Sequence, residues 1–579
     1  KLMITEQTKD IVKKISEFLL IYFTLTLLNL SIESFTLSIS LVQTRVLFSL
    51  ILLGLFNLNL KERIYASLVI FVGLIFYVFL NIDDLSIEFI LVGLVFFMPL
   101  LTDKGIFEKI NLKFILLSVL LLTFYLQQFY LSKEVISWDI STYLSMGQDI
   151  NRGNIPFESQ YSLKAVLCFY IFSLIDLLSN GDYRIVKILN DIPLLILIVI
   201  MFFTTQLKLK KVNTVSSILL YSSILFIDYY GATAYTEHFT LIPIAIAFYL
   251  IERNKESNYL LIGVLFSLST LINHGSAVLF FSALVFVIFN RKDQVIKFLL
   301  GFSIPHLGFL FFYYINELLS VYLIANLQIP LNYTSLPLSE KIDDMYFGYR
   351  GFFIGLSNFN TMVFAAVVLA IVLILLHSNI LKKTTYSIDR FSSINYFLIG
   401  CVIHLFIVGH APVRHNFFIY FFCLCLVNIN ENLSRRLVLP VVLIASLSVL
   451  TNHYDKPYEN IQKFESLEDT YLFYRAAESL KTYHNADSSS TILALNSQLI
   501  LYYLDIPNSS YVNHPAMIFV EEVNVFDNPN NQTEEDVFSE LLLANPDFVI
   551  CPESSFTFCR DIAGYNLIDG YLGIFKKNT

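Results

Sequence analysis

The chain has 579 residues, 56% of them hydrophobic and 15% charged, with 54 Phe, one Trp and a net charge of −9; its mean hydropathy is +0.65. Soluble domains average about 25% charged residues, so this composition excludes an ordinary soluble enzyme and a disordered chain, and its acidic balance gives no electrostatic case for nucleic acid or another polyanionic partner. Six Cys make no disulfide framework and no CxxC or Cys/His spacing points to zinc, which leaves a polytopic membrane protein.

A helix needs about 20 apolar residues to cross the hydrocarbon layer. Such runs lie near 17–32, 43–60, 64–80, 87–101 and 114–131. More follow near 185–206, 212–229, 238–251, 258–273, 276–290 and 295–315, then near 361–378, 393–410, 416–430 and 434–450. The pattern predicts about fifteen transmembrane helices. The first run follows Lys9, Lys13 and Lys14 but has no small-residue cleavage site, so it reads as a retained helix and not a removed signal peptide.

Lys and Arg set the expected orientation. With the N-terminus inside, the cytoplasmic stretches collect about 22 Lys and Arg against about 7 outside. This holds only if the apolar stretch 163–180 lies at the outer surface and does not cross, because otherwise the LKLKK run at 207–211 faces outward. Its short length and Asp176 suit an interfacial helix. The large outer features are then the loops 132–184 and 316–360 and the tail from about 451. The expected location is the plasma membrane (the inner membrane of a bacterium), with the N-terminus cytoplasmic.

From Tyr454 onward, polar residues replace the apolar runs. TILALN at 491–496, DFVICP at 547–552 and YLGIFKK at 571–577 read as strands, and 534–544 as an amphipathic helix. This predicts a small α/β domain over 451–579. Its two cysteines, Cys551 and Cys559, either form a disulfide in an oxidising compartment or remain two thiols.

The outer loop from Ser137 to Lys164 is dense in polar groups. Asp139 follows the end of a span, beside the only Trp, where one side is dry and the other open to water. A base placed there meets both a lipid-borne and a soluble reactant. Alternatively, Asp139 caps a short helix. Asp149 lies ten residues on, with Gly147, Gly153 and Pro156 marking turns.

The run W-D-x-x-x-Y-x-x-x-G-x-D-I-x-x-G-x-x-P-F from Trp138 to Phe157, with Lys164 ahead of an apolar stretch, resembles the first outer loop of the GT-C superfamily of membrane glycosyltransferases. The branch it is most similar to uses polyprenyl-phosphate sugars and includes the protein mannosyltransferases and the aminoarabinose transferases. VKILNDIPLLILIVI, YYGATAYTEHF at 229–239 and NYLLIGVLFSLSTLINHGSAVLFF at 258–281 continue the likeness in order. It covers residues 114–310 well and the rest by layout. The chain departs from the pattern in four extra N-terminal spans and in Lys164-Ala165-Val166 where the family carries Lys-Pro-Pro.

The resemblance implies a polytopic α-helical protein in three parts. Residues 1–105 hold the extra transmembrane helices, 106–450 a GT-C-like core, and 451–579 an extracytoplasmic α/β domain. It implies inverting transfer of a sugar from a polyprenyl-phosphate donor to a lipid, glycan or protein acceptor at the outer membrane face, with Asp139 as general base. Cations are needed where the leaving phosphate gains charge; Arg414 and His415 are the first candidates, followed by Lys164, Arg350 and His274. Tyr143, Asp149, Glu237 and His238 complete the expected substrate-binding set. No cofactor is expected, although Asp139, Asp149, Glu237 and His238 could together hold a divalent cation, as in the oligosaccharyltransferase relatives.

Each candidate also has a structural alternative. Arg414 could snorkel to the interface, His274 could cap a tight hairpin, and Glu237 and His238 could lie in a solvated turn. The loop 316–360, with Asp343 and Asp344, is either a lid that stacks aromatics on sugar faces or a membrane-hugging belt. A lipid-linked glycan polymerase or ligase is a competing reading of the same hydropathy. A transporter is another, although Asp191, His306 and His404 are few mid-span ionisable residues and the halves do not repeat.

Overall fold

A computed structural model of the chain describes residues 111–134, 138–208, 210–224, 236–253, 258–334, 393–408, 415–426, 455–513, 532–552, 556–570 and 572–578, with positions 438, 439, 442, 446 and 519. The expected spans before residue 111 and those near 361–378 and 434–450 lie outside the described residues, apart from isolated positions of the last. So do most of the loop 316–360, with Arg350, Asp343 and Asp344, as well as Arg414 and the side chain of His415.

In chain order the helices begin with α1 (Leu112–Gln127), α2 (Trp138–Asn151), α3 (Val166–Ser179) and α4 (Tyr183–Gln206). They continue as α5 (Lys211–Ile224), α6 (Thr236–Arg253), α7 (Tyr259–Ile272), α8 (Ala277–Asn290) and α9 (Val295–Ile315). Short helices α10 (Leu319–Leu323) and α11 (Ile329–Thr334) flank a π-helical turn at Ile324–Gln328, and α12 (Ser393–Val408) and α13 (His415–Cys425) follow. The tail holds α14 (Asp455–Gln462), α15 (Leu472–His484), β1 (Ile492–Ala494), α16 (Gln498–Leu504), α17 (Glu534–Leu542), β2 (Phe548–Ile550), β3 (Tyr565–Asp569) and β4 (Ile574–Lys577).

Among the described residues, three helices are long and apolar enough to cross a membrane: α1 with its 3-10 extension (Leu112–Ser132), α4, and α9 with the turn before it (Lys292–Ile315). Their 21 to 24 residues reach about 32–36 Å, against a hydrocarbon layer of about 30 Å. The expectation of about fifteen spans is not confirmed. A polar turn divides two of the other described apolar runs. Asn273 ends α7 and a 3-10 turn, His274–Ser276, separates it from α8, leaving 14 residues in each. Backbones meet directly where α7 crosses α9: a Cβ on Gly263 would lie 2.1 Å from the Phe298 carbonyl oxygen, and one on Gly301 2.0 Å from that of Leu260.

The C-terminus of α1, the N-terminus of α4 and the C-terminus of α9 all meet the segment 133–182. Lys187 on α4 donates to the carbonyls of Leu131, at 3.1 Å, and of Lys133. The Tyr313 hydroxyl on α9 donates to the Pro156 carbonyl at 3.0 Å. At the other end of the bundle, Lys208 after α4 pairs at 3.0 Å with Glu252 on α6, which also accepts from Ser393 of α12.

Helix α3 has 14 residues, about 21 Å, which is too short to span. It buries Phe169, Phe172 and Ile175 against its neighbours while Leu174, Leu177 and Leu178 are 56, 64 and 61% exposed. One apolar face is thus packed and the other open.

The tail forms a sheet of order β1-β2-β4-β3, parallel between β1 and β2 and antiparallel in the other two pairs. Strands β1, β2 and β4 and helix α17 fall where their hydrophobic patterns predicted. Cys551 and Cys559 are disulfide-bonded, with Cα atoms 5.6 Å apart. The tail shares one hydrophobic cluster with α2, α3 and the end of α9. The joint is also hydrogen-bonded: Tyr161 pairs with Val512, with Tyr161 N–H donating to Tyr511 O at 2.7 Å and Asn513 N–H to Tyr161 O at 2.9 Å.

Candidate functional site

Five of the residues selected from sequence come together where α2, α6 and the α7–α8 turn meet the segment before α3. Asp139 lies in the first turn of α2, where the helix dipole favours a carboxylate. Tyr143, one turn on and 1% exposed, donates its hydroxyl to Asp139. Burial first, and then the Asp139 and Glu237 carboxylates, push the Tyr143 hydroxyl well above its ordinary pKa, so it stays a donor. Helix α2 is held by close contact at Gly147, where a Cβ would stand 2.7 Å from the Phe172 backbone of α3.

Lys164 lies beside this pair. Its ammonium is 5.9 Å from the centre of the Tyr143 ring and 3.8 Å from a Glu237 carboxylate oxygen. Glu237, in the first turn of α6, is buried. It accepts from Asn273 Nδ2 at 3.1 Å and from the Thr236 hydroxyl at 3.1 Å. A buried carboxylate requires such partners, and the alternative of a solvated turn does not describe it. Asn273 also shapes the turn that carries His274, since its Oδ1 accepts from Gly275 N at 3.0 Å.

His274 is half-buried, and its Nε2 lies 3.2 Å from Asn326 Oδ1 in the π-helical turn. Apolar surroundings, with the nearby Lys164 ammonium and His306, hold the imidazole down to about 4 against the opposing effect of Asn326. A neutral ring does not fit the expectation of a phosphate-binding cation; among the described members of that set, Lys164 carries the positive charge.

Two other candidates face elsewhere. Asp149 turns toward its own loop, accepting from Asn154 at 2.8 Å and from Ser159, with Arg152 at 3.6 Å. His238, fully buried, meets Asn416 through Nε2 at 3.0 Å and so links α6 to the start of α13, next to His415. Asp149 and His238 are thus not placed with Asp139 and Glu237 as a cation cage, and among the described residues no group of three or more His, Cys, Asp or Glu side chains is arranged to hold a metal ion.

Sequence reading missed Asn273, Asn326 and Glu134. Asn273 was visible as the neighbour of His274; Asn326 carries no comparable signal. Glu134, just before α2, accepts from the backbone N–H groups of Phe473 at 2.9 Å and Tyr474 at 2.8 Å, capping α15 of the tail.

Comparison of the chain with protein-family models, with curated proteins and with solved structures finds no match.

Proposed function

We propose that the chain is an inverting GT-C-type glycosyltransferase of the outer membrane face, taking its sugar from a polyprenyl phosphate. The observation that supports this reading is the convergence of Asp139, Tyr143, Lys164 and Glu237 beside the ends of membrane-type helices. A carboxylate and a cation there flank the same Tyr143 side chain. The lipid tail of the donor would lie along the helices, with α3 at the surface and its exposed leucines in the interface.

In the reaction, the acceptor oxygen or nitrogen bonds to the anomeric carbon and its proton passes to Asp139. The bond from that carbon to the phosphate oxygen breaks, and its electron pair stays on the phosphate. Polyprenyl phosphate leaves with one more negative charge, which Lys164 meets. Glu237 holds the ammonium in place, and Tyr143 keeps the Asp139 carboxylate oriented. Helix termini rich in Lys and Arg lie at the other end of the bundle, in line with a cytoplasmic inner face.

The test is transfer by the purified full chain from a panel of polyprenyl-phosphate hexoses and pentoses, with lipid mass spectrometry of cells lacking it. Accumulation of one polyprenyl-phosphate sugar in those cells, and its turnover by wild type but not Asp139→Asn, is the expected result. Undiminished transfer by Asp139→Asn removes the catalytic assignment.

A further inference from the structure

We propose that His274 is a hydrogen-bond acceptor for a hydroxyl of the bound sugar, its Nδ1 lone pair fixed in place by Asn326; this rests on the glycosyltransferase reading. The amide of Asn326 has one orientation available. Its Nδ2 donates to the Tyr322 carbonyl at 3.0 Å, so Oδ1 is the atom facing His274 Nε2 at 3.2 Å. An amide oxygen only accepts, so Nε2 carries the hydrogen. In a neutral imidazole the other nitrogen, Nδ1, is then an acceptor.

Three features keep the ring in that state. The Lys164 ammonium opposes a second proton, as does His306, which is itself engaged with the Thr270 hydroxyl at 2.9 Å. Burial of the ring acts most strongly in the same direction, against the opposing effect of the Asn326 hydrogen bond. The residue that fixes the tautomer sits in a π-helical turn, Ile324–Gln328, a local irregularity frequent at functional sites. Nδ1 has no hydrogen-bond partner among the described residues, and the ring is half-buried beside Lys164. A lone pair next to an ammonium matches a glycosyl phosphate: the cation takes the phosphate and the lone pair takes a sugar hydroxyl. A second anion-binding group would need a donor on Nδ1, which this tautomer lacks.

Diethyl pyrocarbonate attacks unprotonated imidazole nitrogen, and peptide mass spectrometry locates the adduct. On the full chain in detergent, His274 labelling is expected to change less than twofold between pH 7.5 and 6.0. Asn326→Asp, which supplies a carboxylate to stabilise imidazolium, should slow labelling at pH 6.0 at least fivefold. Farnesyl-phosphate hexoses and pentoses should include a member that protects His274, whereas bare farnesyl phosphate should not. Equal protection by bare farnesyl phosphate overturns the proposal and leaves the glycosyltransferase reading standing. Strong protonation of wild-type His274 at pH 6.0 overturns the tautomer and likewise leaves that reading standing. Protection by none of these lipids overturns both.

Discussion

The Tyr143 hydroxyl donates to the Asp139 carboxylate from one turn further along the same helix. Both groups project from one face of α2, so the pair is set by helical spacing alone. Asp139→Asn keeps the hydrogen bond but removes the base, and transfer should fall by about 10²–10⁴-fold. Tyr143→Phe keeps the base but frees its orientation, which should cost about tenfold in kcat with donor KM unchanged. Donor kinetics on the two variants check both expectations, and a Tyr143→Phe effect confined to KM would contradict the orienting role.

Lys164 and Glu237 form a pair of which the carboxylate is the more deeply buried member. Removing the ammonium leaves that buried carboxylate without its counter-charge and with only the Asn273 and Thr236 donors, so Lys164→Met should cost about 3 kcal/mol of stability. Glu237→Gln in the same chain should restore most of it, because the amide needs no counter-charge. A thermal-denaturation cycle on the four proteins measures the coupling; additive losses would mean that the two side chains act independently.

Glu134 caps α15 from outside the tail, and burial, opposed by those backbone hydrogen bonds, raises its pKa above 4.5. Between 4.5 and the raised value the folded chain holds more protons than the unfolded one. This group's contribution to stability therefore falls as pH rises through that window. Glu134→Gln should remove the slope while weakening the cap by about 1 kcal/mol. Denaturation of both proteins across pH 4 to 7 gives the difference directly; a wild-type contribution that rises with pH would refute the assignment.

The crossing of α7 and α9 fixes how closely the helices that lead toward His274 and, through α10, toward Asn326 approach each other. Gly301→Val would drive a side chain into the Leu260 backbone and force the helices apart. Labelling of His274 should then lose its Asn326 dependence, together with a loss of about 2–3 kcal/mol in stability. An unchanged labelling profile would show that the turn is held by other contacts.

Much of the tail was legible because β1, β2 and β4 are buried and apolar, which gives each a compact hydrophobic signature. Strand β3 was not, because Asn566 and Leu567 are exposed at the sheet edge and no face of Tyr565–Asp569 is consistently buried. In the site, charged residues flanking apolar runs stood out, which led to Asp139, Lys164 and Glu237. Their distance from one another in sequence carried no information on Asn326, whose role comes from a π-turn that periodicity does not encode. Glu134 was invisible for a related reason: its partners lie 339 and 340 residues away. Apolar runs also do not show where a polar turn breaks a helix, as at Asn273 between α7 and α8.

The pairing of Tyr161 with Val512 imposes an order of events during synthesis. Residues 155–164 emerge from the ribosome some 350 residues before the strand that fixes them. Until that later stretch arrives, Phe157, Gln160 and Tyr161 of an incomplete nascent chain lack the hydrogen bonds that hold the segment before Lys164. Such a chain would stay inert toward lipid-linked sugars in the membrane around it.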